Sequence, residues 1–318
     1  MQIVALDGYT LNPGDNPWEE VARLGELTVH DRTPPDQVVE RARSAEVILT
    51  NKTPVTAEAL EQLPGLRFIS VLATGYNIVD IDAARSRDIP VSNIPVYGTD
   101  SVAQYVFALL LEYCHHVSRH DAAIRQGKWG ETGDFSFWVN PLIELAGLKM
   151  GIVGFGRIGR RVGELAHAFG MEVLAHDLFH GESPTYQSFR WMEIDELFSE
   201  ADVVSLHCPQ TEENTGFVNR DLLGKMKPNG LLINTARGGL INEGDLQEAL
   251  DAGKLAGAAI DVVSREPILP DNPLLAARNA LLTPHMAWAT LSARKRLMKM
   301  TVENIGAFLD GKPINVVN

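Results

Sequence analysis

Three residues that could act together on one small molecule, Arg237, Glu266 and His285, follow one another in the second half of the chain. Histidine has an ordinary pKa of about 6.5, so His285 could give a proton to a carbonyl oxygen and take it back from an alcohol. Arg237 carries a permanent charge on a planar fork that suits paired hydrogen bonds to a carboxylate. Each residue alone is more often a surface or loop residue, so the hypothesis depends on their joint arrival at one place.

Predicted strands bring these residues to one edge of a sheet. Arg237 follows a strand predicted over residues 231–233, and His285 follows one predicted over 281–282. Glu266 lies in the loop after a strand that ends in Asp261. Because open α/β sheets bind ligands outside the carboxyl ends of their strands, these positions favour a shared substrate site.

A glycine-rich run, 154–159, connects a predicted strand (148–153) to a predicted helix (158–169). Gly154 permits a tight turn, Gly156 lets the main chain approach a pyrophosphate, and Gly159 allows close packing of helix and strand. The N–H groups at the helix start, around Arg157 and Ile158, can then bind phosphates.

Such a run is weak evidence alone, and an acidic residue at the end of the next strand strengthens it. Asp177 ends a strand predicted over 171–176 and lies 18 residues after Gly159. There it could accept hydrogen bonds from ribose hydroxyls and repel a 2′-phosphate, which favours NAD over NADP. A solvated aspartate at a strand end is the alternative interpretation.

Composition excludes several classes of protein. The 318 residues are 45% hydrophobic and 22% charged, which is typical of a globular protein with two domains. A net charge of −13 argues against a nucleic-acid partner. No apolar stretch reaches the roughly 20 residues of a membrane span, and no secretory signal precedes the first predicted strand. Two cysteines, Cys114 and Cys208, exclude a disulfide framework and a cysteine-rich metal site. We therefore expect a cytoplasmic protein without a metal.

Two alternations of strand and helix predict an α/β fold with two doubly wound parallel sheets. The first has strands over 3–6, 27–30, 47–50 and 68–72, and helices over 17–24 and 56–63. The second has strands near Met150, Val173, Val203, Leu232, Ala258 and Leu281. A helix over 99–119, opened by a capping box of Ser101 and Gln104, connects them, and a last helix spans 291–309.

The chain resembles a known family, the NAD-dependent D-2-hydroxyacid dehydrogenases, over essentially its whole length, and is most similar to the glycerate dehydrogenase (hydroxypyruvate reductase) branch. The residues that carry the resemblance are the segments 73–77, 97–103, 154–159, 207–209 and 234–238, Asp261 and Val262 with Glu266 and Pro267, and 283–287.

The resemblance implies roles that the spacing alone does not give. Glu266 would pair with His285, Arg237 would bind the substrate, and backbone N–H groups of Ala73, Thr74 and Gly75 would bind its carboxylate. Hydride would move between NAD(H) and C2 of a 2-hydroxy or 2-keto acid, with hydroxypyruvate and D-glycerate as the leading pair. Further cofactor contacts would come from Cys208, Pro209, Thr235, Ala236 and Asp261.

The resemblance also implies an organisation of the chain. Residues 1–98 and 290–318 would form a discontinuous, flavodoxin-like substrate domain, and 99–289 a Rossmann NAD-binding domain. Two copies would join through the NAD-binding domains as a homodimer. An aromatic segment precedes the cofactor strand and could be a dimer contact or could be buried within one chain; it contains Trp129, Phe135, Phe137 and Trp138.

Several alternatives stay open. The substrate could be another D-2-hydroxy acid, such as D-lactate, glycolate (with glyoxylate) or 3-phosphoglycerate, although the last would need a basic pocket for its phosphate. Formate and phosphite dehydrogenases share the architecture, but formate dehydrogenase has Gln at the position of Glu266. An NADH-sensing binding protein with the same fold is the alternative from another class. His176 stands where many relatives have an aromatic or apolar residue.

Overall fold

The computed structural model describes all residues, Met1–Asn318. The chain divides into two compact units. Unit 1 consists of Met1–Gly98 and Trp288–Asn318, and unit 2 of Thr99–Ala287. The predicted boundary between residues 289 and 290 lies two residues beyond this division.

Unit 1 contains a parallel five-stranded sheet. Its strands are β1 (Gln2–Ala5), β2 (Glu26–Val29), β3 (Val47–Thr50), β4 (Phe68–Val71) and β5 (Val91–Ser92). They lie in the order β2-β1-β3-β4-β5. Every residue of β3 and β4 is buried, as expected for parallel strands with helices over both faces. Its helices are α1 (Glu19–Ala22), α2 (Val38–Ala42), α3 (Ala57–Glu61), α4 (Ile81–Ser86) and α12 (Leu291–Leu309).

The end of the chain completes unit 1. Phe68 of β4 is fully buried and stacks on Phe308 of α12, with ring centroids 4.6 Å apart. Beyond α12, Val316 pairs with Ser92 as an antiparallel bridge at the edge of the sheet. The backbone N–H of Val91 donates to Oδ1 of Asn318, the last residue, at 2.8 Å. The C-terminal segment therefore forms one edge of this unit.

Unit 2 contains a parallel seven-stranded sheet. Its strands are β6 (Lys149–Val153), β7 (Glu172–His176), β8 (Phe189–Trp191), β9 (Val203–Leu206), β10 (Leu231–Asn234), β11 (Gly257–Ile260) and β12 (Ala280–Leu282). They lie in the order β12-β11-β10-β9-β6-β7-β8. The helices are α5 (Thr99–His115), α6 (Val117–Arg125), α7 (Lys128–Thr132), α8 (Arg157–Ala168), α9 (Ile194–Glu200), α10 (Arg220–Leu223) and α11 (Glu243–Asp251). None of the helices is both long enough and apolar enough to cross a membrane.

Both sheets are doubly wound, which confirms the predicted fold class. In unit 1 the strand order reverses between β1 and β3, as in flavodoxin-like folds, and in unit 2 it reverses between β6 and β9, as in Rossmann folds. Such a reversal opens a crevice at the carboxyl ends of the strands, where ligands bind. The glycine-rich run follows β6 and therefore lies at the reversal point of unit 2.

Two features of the connecting helix differ from prediction. The helix predicted over 99–119 ends at His115, because His116 adopts a left-handed backbone with φ of 47°, and α6 starts after it. Ser101, predicted as a cap, lies inside the first turn of α5. Its buried hydroxyl donates to the carbonyl oxygen of Ala287 at 2.7 Å, which satisfies a polar group that could not face water.

The stacked Phe68–Phe308 pair predicts a large stability effect. We expect Phe68→Ala to lower the free energy of unfolding of unit 1 by about 3–5 kcal/mol, because it removes a fully buried ring and leaves a cavity. Urea denaturation followed by circular dichroism measures the change. Phe179→Ala is the control, since the Phe179 ring is 85% exposed, and it should change stability by less than about 0.5 kcal/mol. Equal effects of the two substitutions would contradict the packing argument.

Candidate active site

A short hydrogen bond joins Glu266 and His285, two of the three residues predicted to do chemistry. Oε2 of Glu266 lies 2.6 Å from Nδ1 of His285, and the side chains are 32% and 25% exposed. A carboxylate can only accept, so Nδ1 carries the hydrogen of this bond. A proton exchanged with a substrate then belongs to Nε2. The arrangement orients the imidazole and fixes its tautomer.

A buried aspartate shapes the turn that carries His285. The His285 backbone is left-handed, with φ of 53°, and its N–H donates to the carbonyl oxygen of Asp261 at 2.7 Å. The Asp261 carboxylate is 1% exposed and accepts the Thr283 hydroxyl at 2.7 Å. It also accepts the N–H groups of Met286 and Ala287, both at 2.9 Å. Sequence analysis missed this positioning task and assigned Asp261 only a cofactor contact, which stays a prediction.

Arg237 lies on an exposed turn after β10. Asn234 stabilises this turn, because its side chain accepts the N–H of Ala236 at 3.0 Å and donates to the carbonyl oxygen of Arg237 at 2.9 Å. One guanidinium nitrogen of Arg237 donates to the carbonyl oxygen of Ala236 at 2.7 Å. The Arg237 side chain thus extends from a turn whose backbone is held by hydrogen bonds.

Strand register brings the Arg237 turn to the same edge as the Glu266–His285 pair. In β10, β11 and β12 the paired residues at the carboxyl ends are Asn234, Ile260 and Leu282. The loops that follow these strands therefore begin side by side. A Cβ built on Gly238 would lie 1.9 Å from the carbonyl carbon of Val263, so the backbone beside Arg237 directly touches the Glu266 loop. Only glycine permits this approach.

The predicted carboxylate-binding loop, Ala73 to Gly75, belongs to unit 1 and follows β4. The hydroxyl of Thr74 donates to the carbonyl oxygen of Ile94 at 2.8 Å, and Asn93 donates to the carbonyl oxygen of Thr74 at 2.8 Å. The N–H of Ile94 donates to the carbonyl oxygen of Ala73 at 3.0 Å. The segment after β5 therefore fixes the shape of this loop.

Sequence analysis also missed Asp7, which organises another loop at the carboxyl edge of unit 1. Asp7 follows β1 and accepts the backbone N–H groups of Asn51 at 2.8 Å, of Thr53 at 2.9 Å and of Lys52. Burial raises the pKa of this carboxyl group, while the N–H donors act in the opposite direction. A lone aspartate at a strand end gives no sequence signal that distinguishes it from a solvated one.

The glycine-rich loop fits a dinucleotide. Gly154 has φ of 93°, and a Cβ there would lie 2.4 Å from the backbone nitrogen of Cys208; a Cβ on Gly159 would lie 2.1 Å from the carbonyl oxygen of Gly154. No atom lies within 4 Å of a Cβ built on Gly156, which leaves open space before the first turn of α8. No side chain caps this helix, whose first residues are Arg157 and Ile158. A phosphate could therefore approach its N–H groups.

The Asp177 carboxylate and the Thr235 hydroxyl could bind other parts of a dinucleotide. Asp177 Oδ2 accepts the N–H of Phe155, inside the glycine-rich loop, at 2.7 Å, and Oδ1 accepts the N–H of Phe179 at 3.2 Å. The carboxylate thus lies beside the loop, and its contact with ribose stays a prediction. The hydroxyl of Thr235, at the end of β10, is buried without a protein partner, so a ligand could supply one.

Two reactive side chains near the glycine-rich loop are unsuited to acid–base work. Burial lowers the pKa of His207 to about 3, so this imidazole is neutral at pH 7; its Nε2 lies 2.8 Å from Oγ of Ser205. Burial raises the pKa of the Cys208 thiol to about 11, which keeps it protonated. Pro209 follows, and its carbonyl oxygen accepts a hydrogen bond from Asn214 at 2.8 Å. No group of three His, Cys, Asp or Glu side chains is arranged to hold a metal ion.

Comparisons with known proteins agree with this geometry. Residues 107–287 match the family described as D-isomer specific 2-hydroxyacid dehydrogenase, NAD binding domain. The chain is 50% identical to a hydroxypyruvate reductase from Blautia hydrogenotrophica over 321 residues, which cover 100% of both chains. It is 37% identical to a glycerate dehydrogenase from Methylorubrum extorquens, over 89% of this chain and 88% of that relative. A crystal structure of D-lactate dehydrogenase from Aquifex aeolicus, complexed with NAD and lactic acid, matches it with a TM-score of 0.83, 27% identity and 100% coverage of both chains.

The position of Asp177 predicts cofactor preference. We expect Asp177→Ala to weaken NADH binding about tenfold or more, because it removes an ionised acceptor of ribose hydrogen bonds, and to narrow the preference for NADH over NADPH. Titration of the protein with each nucleotide, followed by fluorescence, measures both changes. Glu196→Ala removes an exposed carboxylate from α9 and should leave both affinities as they are. An unchanged preference in Asp177→Ala would place ribose recognition elsewhere.

Proposed function

Since this chain belongs to the D-isomer specific 2-hydroxyacid dehydrogenase family, we propose that it reduces hydroxypyruvate to D-glycerate with NADH. The hydrogen bond of 2.6 Å between Glu266 and His285 carries the catalytic part of the proposal. The choice of substrate is supported by the 50% identity to a hydroxypyruvate reductase along the whole chain.

We propose the following roles for the catalytic pair. When bound, NADH supplies the hydride that C2 of the keto acid receives. Protonated His285 delivers the Nε2 proton to the carbonyl oxygen, which becomes the hydroxyl group, and the ring is left neutral. In the oxidation, neutral His285 takes this proton from the alcohol. Glu266 holds the ring by Nδ1 and thereby fixes its orientation and its tautomer.

The substrate carboxylate needs binding groups of its own. Arg237 offers the planar fork for paired hydrogen bonds, and its fixed turn beside the Glu266 loop supports this role. We assign a further contribution to backbone N–H groups of Ala73, Thr74 and Gly75. For the cofactor, we propose contacts with the residues predicted from the sequence: Gly154, Gly156, Arg157, Ile158, Gly159, Asp177, Cys208, Pro209, Thr235, Ala236 and Asp261.

A substrate panel tests the function directly. NADH oxidation is followed by absorbance with hydroxypyruvate, glyoxylate, pyruvate, phenylpyruvate and 3-phosphohydroxypyruvate, and the series is repeated with NADPH. The highest kcat/KM with hydroxypyruvate and NADH supports the proposal. A higher kcat/KM with another acid would support the same type of reaction on a different substrate. Tight NADH binding without turnover of any acid would instead indicate a sensing protein.

We propose that the protein acts as a homodimer in the cytoplasm. The exposed aromatic side chains before β6 support a contact between copies, because Trp129 is 47%, Phe135 91% and Trp138 67% exposed. Two cysteines without a disulfide, Cys114 and Cys208, agree with a reducing compartment. Light scattering gives the mass in solution, and a monomer at working concentration would contradict the dimer.

His285 should control the chemical step. We expect His285→Ala to lower kcat by about 10²- to 10⁴-fold, the usual contribution of a general acid, with a much smaller change in NADH affinity. Steady-state kinetics with the best acid of the panel measures kcat, and nucleotide titration measures the affinity. Turnover at the wild-type rate would remove His285 from the mechanism.

Arg237 should control use of the substrate. We expect Arg237→Lys to lower kcat/KM for the keto acid by at least about tenfold, because a point charge cannot replace two parallel hydrogen bonds. The same exchange at Arg125, an exposed residue of α6 that pairs with Asp121, is the control. If both variants kept the wild-type kcat/KM, the bidentate role would be wrong.

A further inference from the structure

The carboxylate of Glu243 binds the loop that carries Glu266. Oε1 of Glu243 accepts the backbone N–H of Ser264 at 2.6 Å, and Oε2 accepts the Ser264 hydroxyl at 2.8 Å. Oε2 also accepts the side-chain amide of Asn272 at 2.9 Å. Ser264 lies two residues before Glu266 and Asn272 lies six residues after it, so one carboxylate holds both sides of the loop.

The same region contacts the Arg237 turn. A Cβ built on Gly238, the residue after Arg237, would lie 1.9 Å from the carbonyl carbon of Val263 and 2.4 Å from the backbone nitrogen of Ser264. Glu243 begins α11 shortly after this turn. The segment from Arg237 to Glu243 therefore meets the Glu266 loop twice, once by close backbone packing and once through the Glu243 carboxylate.

The first turn of α11 holds the backbone of Glu243 in a fixed position. Asn242 caps the helix by accepting the N–H of Asp245 at 3.2 Å, and Glu243 is its first residue. A negative charge is favourable in the first turn of a helix because of the exposed N–H groups there. Glu243 is half-buried and its partners are all hydrogen-bond donors. Because Ser264 is exposed, water could replace the carboxylate as acceptor, but the loop would lose its link to α11.

We propose that Glu243 is a positioning residue that holds Glu266 in hydrogen-bond reach of His285. This inference rests on the proposed function. The Glu266–His285 bond is short, and a shift of the loop by a fraction of an ångström would lengthen it. Displacements near 1 Å cost enzymes about 100-fold in rate, so an effect on kcat is expected without any contact between Glu243 and the substrate.

Kinetics of matched variants tests this role. Glu243→Ala should lower kcat by about 10- to 100-fold and leave the dissociation constant of NADH within about twofold. Glu243→Gln should lose less than Glu243→Ala, because its carbonyl oxygen can still accept some of these hydrogen bonds, although its amide nitrogen cannot accept the others. The control is Glu248→Gln on the same helix, whose carboxylate pairs with exposed Arg220, and its kcat should stay at the wild-type value. Equal kcat in wild type and both Glu243 variants would overturn the inference.

A double-mutant cycle distinguishes positioning from a general loss of structure. If Glu243 acts through Glu266, Glu243→Ala should lower kcat by less than about twofold in a Glu266→Gln background. The same fold-loss in both backgrounds would mean that Glu243 acts independently of Glu266, and the inference would be wrong. Thermal unfolding shows whether each variant is folded. If Glu243→Ala is not folded, the cycle is measured with Glu243→Gln, whose side chain has nearly the same shape as that of Glu243.

A proton NMR signal tests the positioning role of Glu243 independently of the reaction that the protein catalyses. The Nδ1–H proton of His285, in a short hydrogen bond to a carboxylate, should give a far-downfield proton resonance that disappears in His285→Ala. We expect this signal to be lost or shifted in Glu243→Ala and retained in Glu248→Gln. If no keto acid is turned over, the function fails while the signal still tests Glu243. If wild type is active and Glu243→Ala leaves both signal and kcat unchanged, only the positioning role fails.

Discussion

In-register pairing of β10, β11 and β12 is the constraint on which the site depends. The ends of these strands, at Asn234, Ile260 and Leu282, lie level across the sheet. The three loops that follow these strands therefore begin side by side, although they are distant in sequence. Their side chains, Arg237, Glu266 and His285, lie at the same edge of the sheet. A shift of one residue in a parallel strand would turn its side chains to the other face and displace the loop that follows.

Three carboxylates, those of Asp261, Glu266 and Glu243, hold the other parts of the site in position. Asp261 is buried and binds backbone N–H groups and a hydroxyl, which fixes the left-handed turn at His285. Glu266 binds the imidazole itself, and Glu243 binds the loop of Glu266. Donors surround each acid, so the cost of removing charge from water is offset by charge-assisted hydrogen bonds. The two loops that carry Glu266 and His285 are thus each bound by a carboxylate from outside the pair, Glu243 for the first and Asp261 for the second.

Local signals made the fold and part of the site predictable from the sequence. Alternating apolar segments gave two doubly wound sheets, and the bounds of α12 agree with its apolar spacing. The glycine-rich turn and Asp177 match a pattern that is typical of dinucleotide-binding folds. The pairing of Glu266 with His285 came from family resemblance, since no spacing rule relates two loops on neighbouring strands.

The errors arose where distant parts of the chain decide the local structure. Ser101 and Gln104 match a capping box, yet the Ser101 hydroxyl binds Ala287, a residue far along the chain. The left-handed His116 has no local signature, and the short strand β8 lacks a run of apolar residues long enough to stand out. Glu243 has the sequence context of any acidic residue at a helix start, and only its contact with Ser264 distinguishes it. Unit 1 also depends on distant residues, because its sheet edge and its Phe68 ring are covered by the last segment of the chain. During synthesis, the continuous unit 2 can fold once the segment up to Ala287 has emerged from the ribosome, whereas unit 1 keeps an open sheet edge until the segment from Trp288 to Asn318 has followed.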